Sequence, residues 1–114
     1  MISRGDICWV ALRRPRGSEP GHPRPAVVIQ ADSFNRSRIR TVIVAIITSN
    51  LDRARSPGTV RLGARASGLG KPSVVNASQL ATVDRSQVSA PIASLSGRTM
   101  DAVDAALRSV LGLV

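Results

Sequence analysis

Thr41-Val42-Ile43-Val44-Ala45-Ile46-Ile47-Thr48 is the stretch from which the rest of this chain can be read. It is β-branched nearly throughout. Such side chains lose rotamer freedom in a helix and fit the pleated surface of a sheet. Apolar residues fall at both parities, so the run reads as a central strand covered on both faces. Towards the N-terminus, Ala31 to Arg40 is polar and reads as a turn with at most one helical turn. Ala26 to Gln30 is a valine- and isoleucine-rich strand. Residues 13–25, Arg-Arg-Pro-Arg-Gly-Ser-Glu-Pro-Gly-His-Pro-Arg-Pro, read as a long loop, because their prolines and glycines support no regular ladder. Ile7 to Leu12 reads as a first strand. Towards the C-terminus come a basic loop at Ser49 to Gly58, a short strand at Thr59 to Leu62 and a glycine-rich segment at Gly63 to Lys71. Further strands are expected at Ser73 to Thr82 and Ile92 to Leu95.

The period then changes. Met100, Val103, Leu107, Val110 and Leu111 recur at helical spacing. Ser96 stands where an N-cap would, Asp101 and Asp104 favour the positive end of the dipole, and Arg108 lies four residues after Asp104. A helix over Gly97 to Leu111, with its apolar stripe packed on the sheet, follows. Short strands and one final helix define a mainly β domain: a small barrel or strongly bent sheet with a C-terminal helix. At 114 residues the chain is expected to form a single domain over 1–114.

Composition narrows the chemistry. Hydrophobic residues make up 43%, enough for a core. The longest apolar run, Val42 to Ile47, is too short to span a bilayer. The opening Met1-Ile2-Ser3-Arg4-Gly5-Asp6 puts charge where a signal peptide needs an apolar block, so a cytoplasmic protein is expected. One cysteine, Cys8, and one histidine, His22, leave neither a disulfide framework nor a thiolate zinc site. The acids Asp6, Glu19, Asp32 and Asp52 are scattered, unlike the clustered carboxylates of two-metal nucleases. No metal and no cofactor are expected.

Sixteen basic residues face seven acidic ones, a net charge of +9. The excess is uneven: residues 1–65 carry +8 and residues 66–114 carry +1. A basic half suggests a polyanionic partner, nucleic acid before membrane. An arginine-rich composition kept for solubility is the alternative. Trp9 and Phe34 are the only aromatic residues, which argues against the common aromatic-platform RNA-binding domains.

RNA offers a phosphodiester chemistry without metal. Its own 2′-hydroxyl can attack the adjacent phosphorus, provided the protein orients the attack, stabilises the phosphorane and moves protons. A guanidinium fork suits the phosphorane, and a hydroxyl can hold a phosphate oxygen or the 2′-OH. Arg24, held extended before Pro25, and Thr48, ending the best strand, have those side chains at strand ends that could meet in one cleft. From spacing alone, Arg24 also reads as an ordinary surface charge and Thr48 as a cap.

The order of several segments resembles one family. These are Arg4-Gly5-Asp6-Ile7-Cys8-Trp9-Val10, then Gly17-Ser18-Glu19…Arg24-Pro25-Ala26-Val27-Val28, and Asp32-Ser33-Phe34-Asn35. Val42 to Ser49, Ser78-Gln79-Leu80-Ala81-Thr82-Val83-Asp84 and Met100…Val103-Asp104…Ala106-Leu107 complete the set. Together they resemble the MazF (PemK, Kid) toxins over essentially the whole chain. The resemblance implies an SH3-like barrel on the CcdB/PemK plan, a homodimer and ribosome-independent cleavage of single-stranded RNA at a short sequence. It also implies a cognate antitoxin whose acidic C-terminal tail occupies the RNA groove. The family's catalytic arginine falls on Arg24 and its catalytic threonine on Thr48. Ser18 and Glu19 fall on the loop over the site, and Gln79 on the cleft lining.

Glu19 reads equally as a general base for the 2′-OH and as a loop carboxylate paired with an arginine. Arg24, whose guanidinium stays protonated, is assigned to charge stabilisation. Arg13, Arg14 and Arg16 read either as a rail for the RNA backbone or as a solvated loop; their place beside Gly17-Ser18-Glu19 favours the rail. His22 is set aside because Pro23 separates it from Arg24. Cys8 and Trp9 read as barrel packing. The alternative function is that of a non-catalytic, CcdB-like barrel that poisons gyrase by binding it; that class does not use the paired Arg24 and Thr48.

Overall fold

The computed structural model describes residues 1–12 and 23–113. Its strands are β1 (Asp6–Ala11), β2 (Pro23–Val28), β3 (Thr41–Thr48), β4 (Thr59–Leu62), β5 (Ser73–Asp84) and β6 (Ala93–Ser94). Its α-helices are α1 (Asp32–Asn35), α2 (Ala64–Ser67) and α3 (Gly97–Leu111), and Leu51–Arg55 forms a 3-10 turn. The strands make one antiparallel sheet in the order β4-β5-β3-β2-β1-β6. β3 is central, as its composition requires, and all but Ile43 of its apolar residues are buried.

The sheet curls because β5 is bent. Ala45 of β3 pairs with Leu80, but the next residue, Ile46, pairs with Asn76, so Ala77 to Gln79 bulge out of the ladder. The Asn76 carboxamide oxygen accepts from the Ser78 N–H (3.0 Å) and the Ser78 hydroxyl (2.6 Å), which fixes the bulge. On either side of it β5 runs with a different half of β3, and its first half also carries β4. The result is a six-stranded half-barrel with a C-terminal helix, the mainly β plan expected. The end of α2 closes on the edge strand β6 at Gly68. Its φ is +69°, and a Cβ there would lie 2.9 Å from Ala93 Cβ and 3.1 Å from the Ile92 carbonyl oxygen.

Both faces of the sheet are buried. One carries Ile7, Val27, Ala45, Ile47, Leu62 and Val75, covered by Val103 and Leu107 of α3. The other carries Cys8, Val10, Ala26, Val28, Val42, Val44 and Ile46. Each valine, leucine or isoleucine side chain fully buried in this way contributes about 1.5–3 kcal/mol. α3 spans the expected residues. Ser96 caps it by accepting from the Thr99 N–H (3.2 Å), and Gly112 ends it in the left-handed conformation. Its stripe is buried at Val103 and Leu107 only; Val110 and Leu111 are exposed.

Three expectations are corrected. β2 begins at Pro23, inside the span read as loop, for a reason that bears on the site. Asp104 bonds not to Arg108 but to Arg4, at 2.6 Å, and the same guanidinium donates to the Ile29 carbonyl (2.8 Å). Trp9 is not core: it is 39% exposed, while Cys8 beside it is buried.

Candidate active site

Pro25 explains where the cleft lies. In β1, the Trp9 N–H donates to Ser89 Oγ (2.9 Å) and the Trp9 carbonyl accepts from the Ser89 N–H (2.9 Å), both away from β2. Trp9 faces Pro25 in the ladder, so that pair exchanges no hydrogen bonds. The proline nitrogen therefore faces β3, where it has no hydrogen to donate. Pairing of β2 with β3 runs through Val28↔Val44 and Val27↔Ala45 and ends at Ala26↔Ile46. The next donor would be residue 25. Two prolines can thus sit in a strand, Pro23 opposite Ala11 and Pro25 opposite Trp9, because each lacks its donor on the unpaired side.

Where the two strands part, a cleft of about 600 Å³ opens. That volume lies within the roughly 300–1,000 Å³ of ordinary ligand sites. Arg24 and Pro25 line it from β2, Ile47 and Thr48 from β3 with Ser49 just after it, and Trp9 from β1. Leu69, Lys71, Ser73 and Ile92 complete the wall with Gly68. Continuing the β2–β3 register beyond Ala26 sets Arg24 opposite Thr48. Arg24 and Thr48 have the opposite parity to Pro25 and Ile47. Both sets reach the cleft because it opens between strand ends rather than on one face.

Arg24 and Thr48 are half-buried. Thr48 Oγ1 accepts from the Asn50 N–H (3.1 Å), which fixes the side chain and leaves its own hydrogen available to donate. Among the described residues no carboxylate lines the cleft, so its charge is that of Arg24 and Lys71. Such a site suits an anion with a dianionic transition state, bound by a guanidinium fork, an ammonium and hydroxyls.

The structure brings together two of the expected residues, Arg24 and Thr48. Gln79 sits in the β5 bulge, exposed, and is not part of the cleft lining. Arg13, Arg14, Arg16, Ser18, Glu19 and His22 lie outside the described residues. Sequence reasoning missed Trp9 and Lys71. Lys71 is the only lysine in an otherwise arginine-based set of cations, which was the one available signal.

The family and the fold are shared with known proteins. The family model for the PemK-like, MazF-like toxin of type II toxin-antitoxin systems matches residues 3–111, and the chain belongs to that family. It is 42% identical over 113 residues to the endoribonuclease MazF2 of Mycobacterium bovis, covering 99% of each chain. It is 37% identical over 114 residues to the endoribonuclease EndoA of Bacillus subtilis, covering 100% of this chain and 97% of the other. Among solved structures, a MazE–MazF crystal structure from Deinococcus radiodurans superposes with a TM-score of 0.79 at 27% identity, covering 99% and 97%. A mycobacterial endoribonuclease in complex with its cognate antitoxin shares the fold, with a TM-score of 0.80 at 21% identity, covering 100% and 98%.

Proposed function

We propose that this chain is a metal-independent endoribonuclease that cuts single-stranded RNA at a short sequence, as the toxin of a type II toxin-antitoxin pair. The observation that carries the reading is the presence of Arg24 and Thr48 in one cleft, in a chain whose relatives are endoribonucleases. The RNA 2′-oxygen attacks the adjacent phosphorus, the bond to the 5′-oxygen breaks, and the products are a 2′,3′-cyclic phosphate and a 5′-hydroxyl. Arg24 clamps the charge that builds on the phosphorane oxygens, and Thr48 holds a phosphate oxygen or the 2′-OH. Glu19 is the candidate base for the 2′-OH, Ser18 a loop contact over the site, and Arg13, Arg14 and Arg16 the backbone rail. Gln79, outside the cleft wall, is a candidate contact for RNA beyond the cut.

The whole chain, residues 1–114, acts as one domain in the cytoplasm, as a homodimer. Its other partner is an antitoxin with an acidic C-terminal tail, for which a +9 chain is an electrostatic match. Exposed Phe34, Ile39 and Ile43, and Val110, Leu111 and Leu113 at the end of α3, supply apolar surface for protein partners. Among the described residues no helix is long and apolar enough to cross a membrane. The relatives' names and the Arg24–Thr48 cleft give the gyrase-binding alternative no support.

The test is cleavage of a long single-stranded RNA in EDTA by the wild type and by Arg24→Ala. The wild type should cut at a recurrent sequence and leave a cyclic phosphate, with the variant slower by about a hundredfold or more. Equal rates for the two proteins, or a 5′-phosphate on the downstream fragment, would sink the mechanism.

A further inference from the structure

Trp9 is the one large aromatic side chain in the cleft, and it stands on an apolar row. Trp9 faces Pro25 across β1–β2 in a pair without hydrogen bonds, the geometry that sets side chains closest. Continuing the register places Ile47 next in the same row, and Ile92 and Leu69 line the cleft with it. The backbone of Trp9 is fixed by its two hydrogen bonds to Ser89. Trp9 as a residue is 39% exposed, and Ile92 is 39% exposed as well. An indole left open to solvent on a rigid strand, among apolar neighbours, offers a flat face at little conformational cost.

Among the described residues, the polar side chains that line the same cleft with Trp9 are Arg24, Lys71, Thr48, Ser49 and Ser73. The cleft therefore combines an apolar, aromatic wall with two cations and hydroxyls. That combination matches a nucleotide, with its base on the wall and its phosphate on the cations.

We infer that Trp9 is a base-stacking residue that holds an unpaired nucleobase next to the scissile phosphate, with Lys71 binding the phosphate of that nucleotide. The inference rests on the nuclease reading of the cleft and adds to it a substrate-positioning element. Trp9 carries no proton in the reaction and contributes binding and register.

Trp9 is the only tryptophan, and the chain has no tyrosine, so intrinsic emission reports on this one side chain. Wild-type protein and a long single-stranded RNA first give the cut site. The probe is then a ten-nucleotide single-stranded DNA copying the cut segment, which lacks the attacking hydroxyl and stays intact. Stacking predicts saturable quenching of Trp9 emission by this probe. Trp9→Ala should bind a labelled copy about tenfold or more weakly, a loss that falls mainly on KM in RNA cleavage. Trp9→Phe keeps a ring and should recover most of the loss. Trp9→Leu keeps apolar bulk only and should not recover it, whereas a purely structural role would be rescued by both. Lys71→Met should weaken binding and flatten its salt dependence. Cleavage with unchanged Trp9 emission, or equal rescue by Phe and Leu, overturns the inference and leaves the nuclease reading intact. Absence of cleavage by the wild type overturns both.

Discussion

Gly68→Ala should damage this protein by an amount that separates two causes. The residue has φ +69°, where an L side chain costs about 1–2 kcal/mol. A Cβ there would also stand 2.9 Å from Ala93 Cβ and 3.1 Å from the Ile92 carbonyl oxygen. Neither atom belongs to a flexible side-chain end, so relief must come from backbone movement, worth about 1–3 kcal/mol in overpacked sites. Together the two make roughly 2–5 kcal/mol, a large share of a typical 5–15 kcal/mol stability. Gly70 supplies the control: its φ is +76°, and a Cβ there meets nothing within 4 Å. Gly70→Ala should therefore show the backbone cost alone. Urea unfolding followed by circular dichroism, with the slope checked for constancy, measures both. Equal losses in the two variants would refute the claim that the end of α2 is held in close contact with β6 at Gly68. Because Gly68 and Ile92 also line the cleft, RNA cleavage by Gly68→Ala at temperatures where it stays folded should fall as well.

Thr48→Val keeps the shape and removes the hydroxyl, so kcat for RNA should drop about a hundredfold, with Thr48→Ser retaining most activity; a change within twofold for valine would remove Thr48 from the mechanism. Asp104→Asn should lower stability by about 0.5–1 kcal/mol, since the pair with Arg4 is partly exposed, and Arg108→Ala should leave it unchanged. The reverse ranking of urea midpoints would show that Asp104 is paired within its own helix. Burial, aided by the nearby Asp6 carboxylate, pushes the Cys8 thiol up to about 11. The unfolded thiol ionises lower, near 8.5, so stability should be full below that value and decline as pH rises from there to about 11. Ellman's reagent at pH 8 should react with Cys8 only as fast as the protein opens, and rapid labelling of the native protein would contradict its burial.

Much of the fold was legible because it rests on local patterns. β3, β4 and α3 occupy the residues that β-branching, alternation, capping and helical spacing assign to them. The failures share a cause, which is that the deciding partner lies far along the chain. Pro23 and Pro25 look like strand breakers until β3 is seen to leave their side unpaired. Asp104 looks paired to Arg108 because spacing cannot show Arg4, a hundred residues away. β5 runs on to Asp84 because a bulge at Ala77 to Gln79 lets one strand serve both halves of β3. For the site, Arg24 and Thr48 could be named from side-chain chemistry and family resemblance. Trp9 could not, since an aromatic in an apolar strand signals core until its exposure is known.

The missing donor at Pro25 sets durability against use. A sheet that zipped its second and third strands together to their ends would gain hydrogen bonds and lose the opening that admits a substrate. Laboratory selection for heat resistance alone should therefore accept other residues at 23 and 25, and the survivors should be sturdier and less toxic. In this protein the working part is a place where the fold has been kept from completing itself.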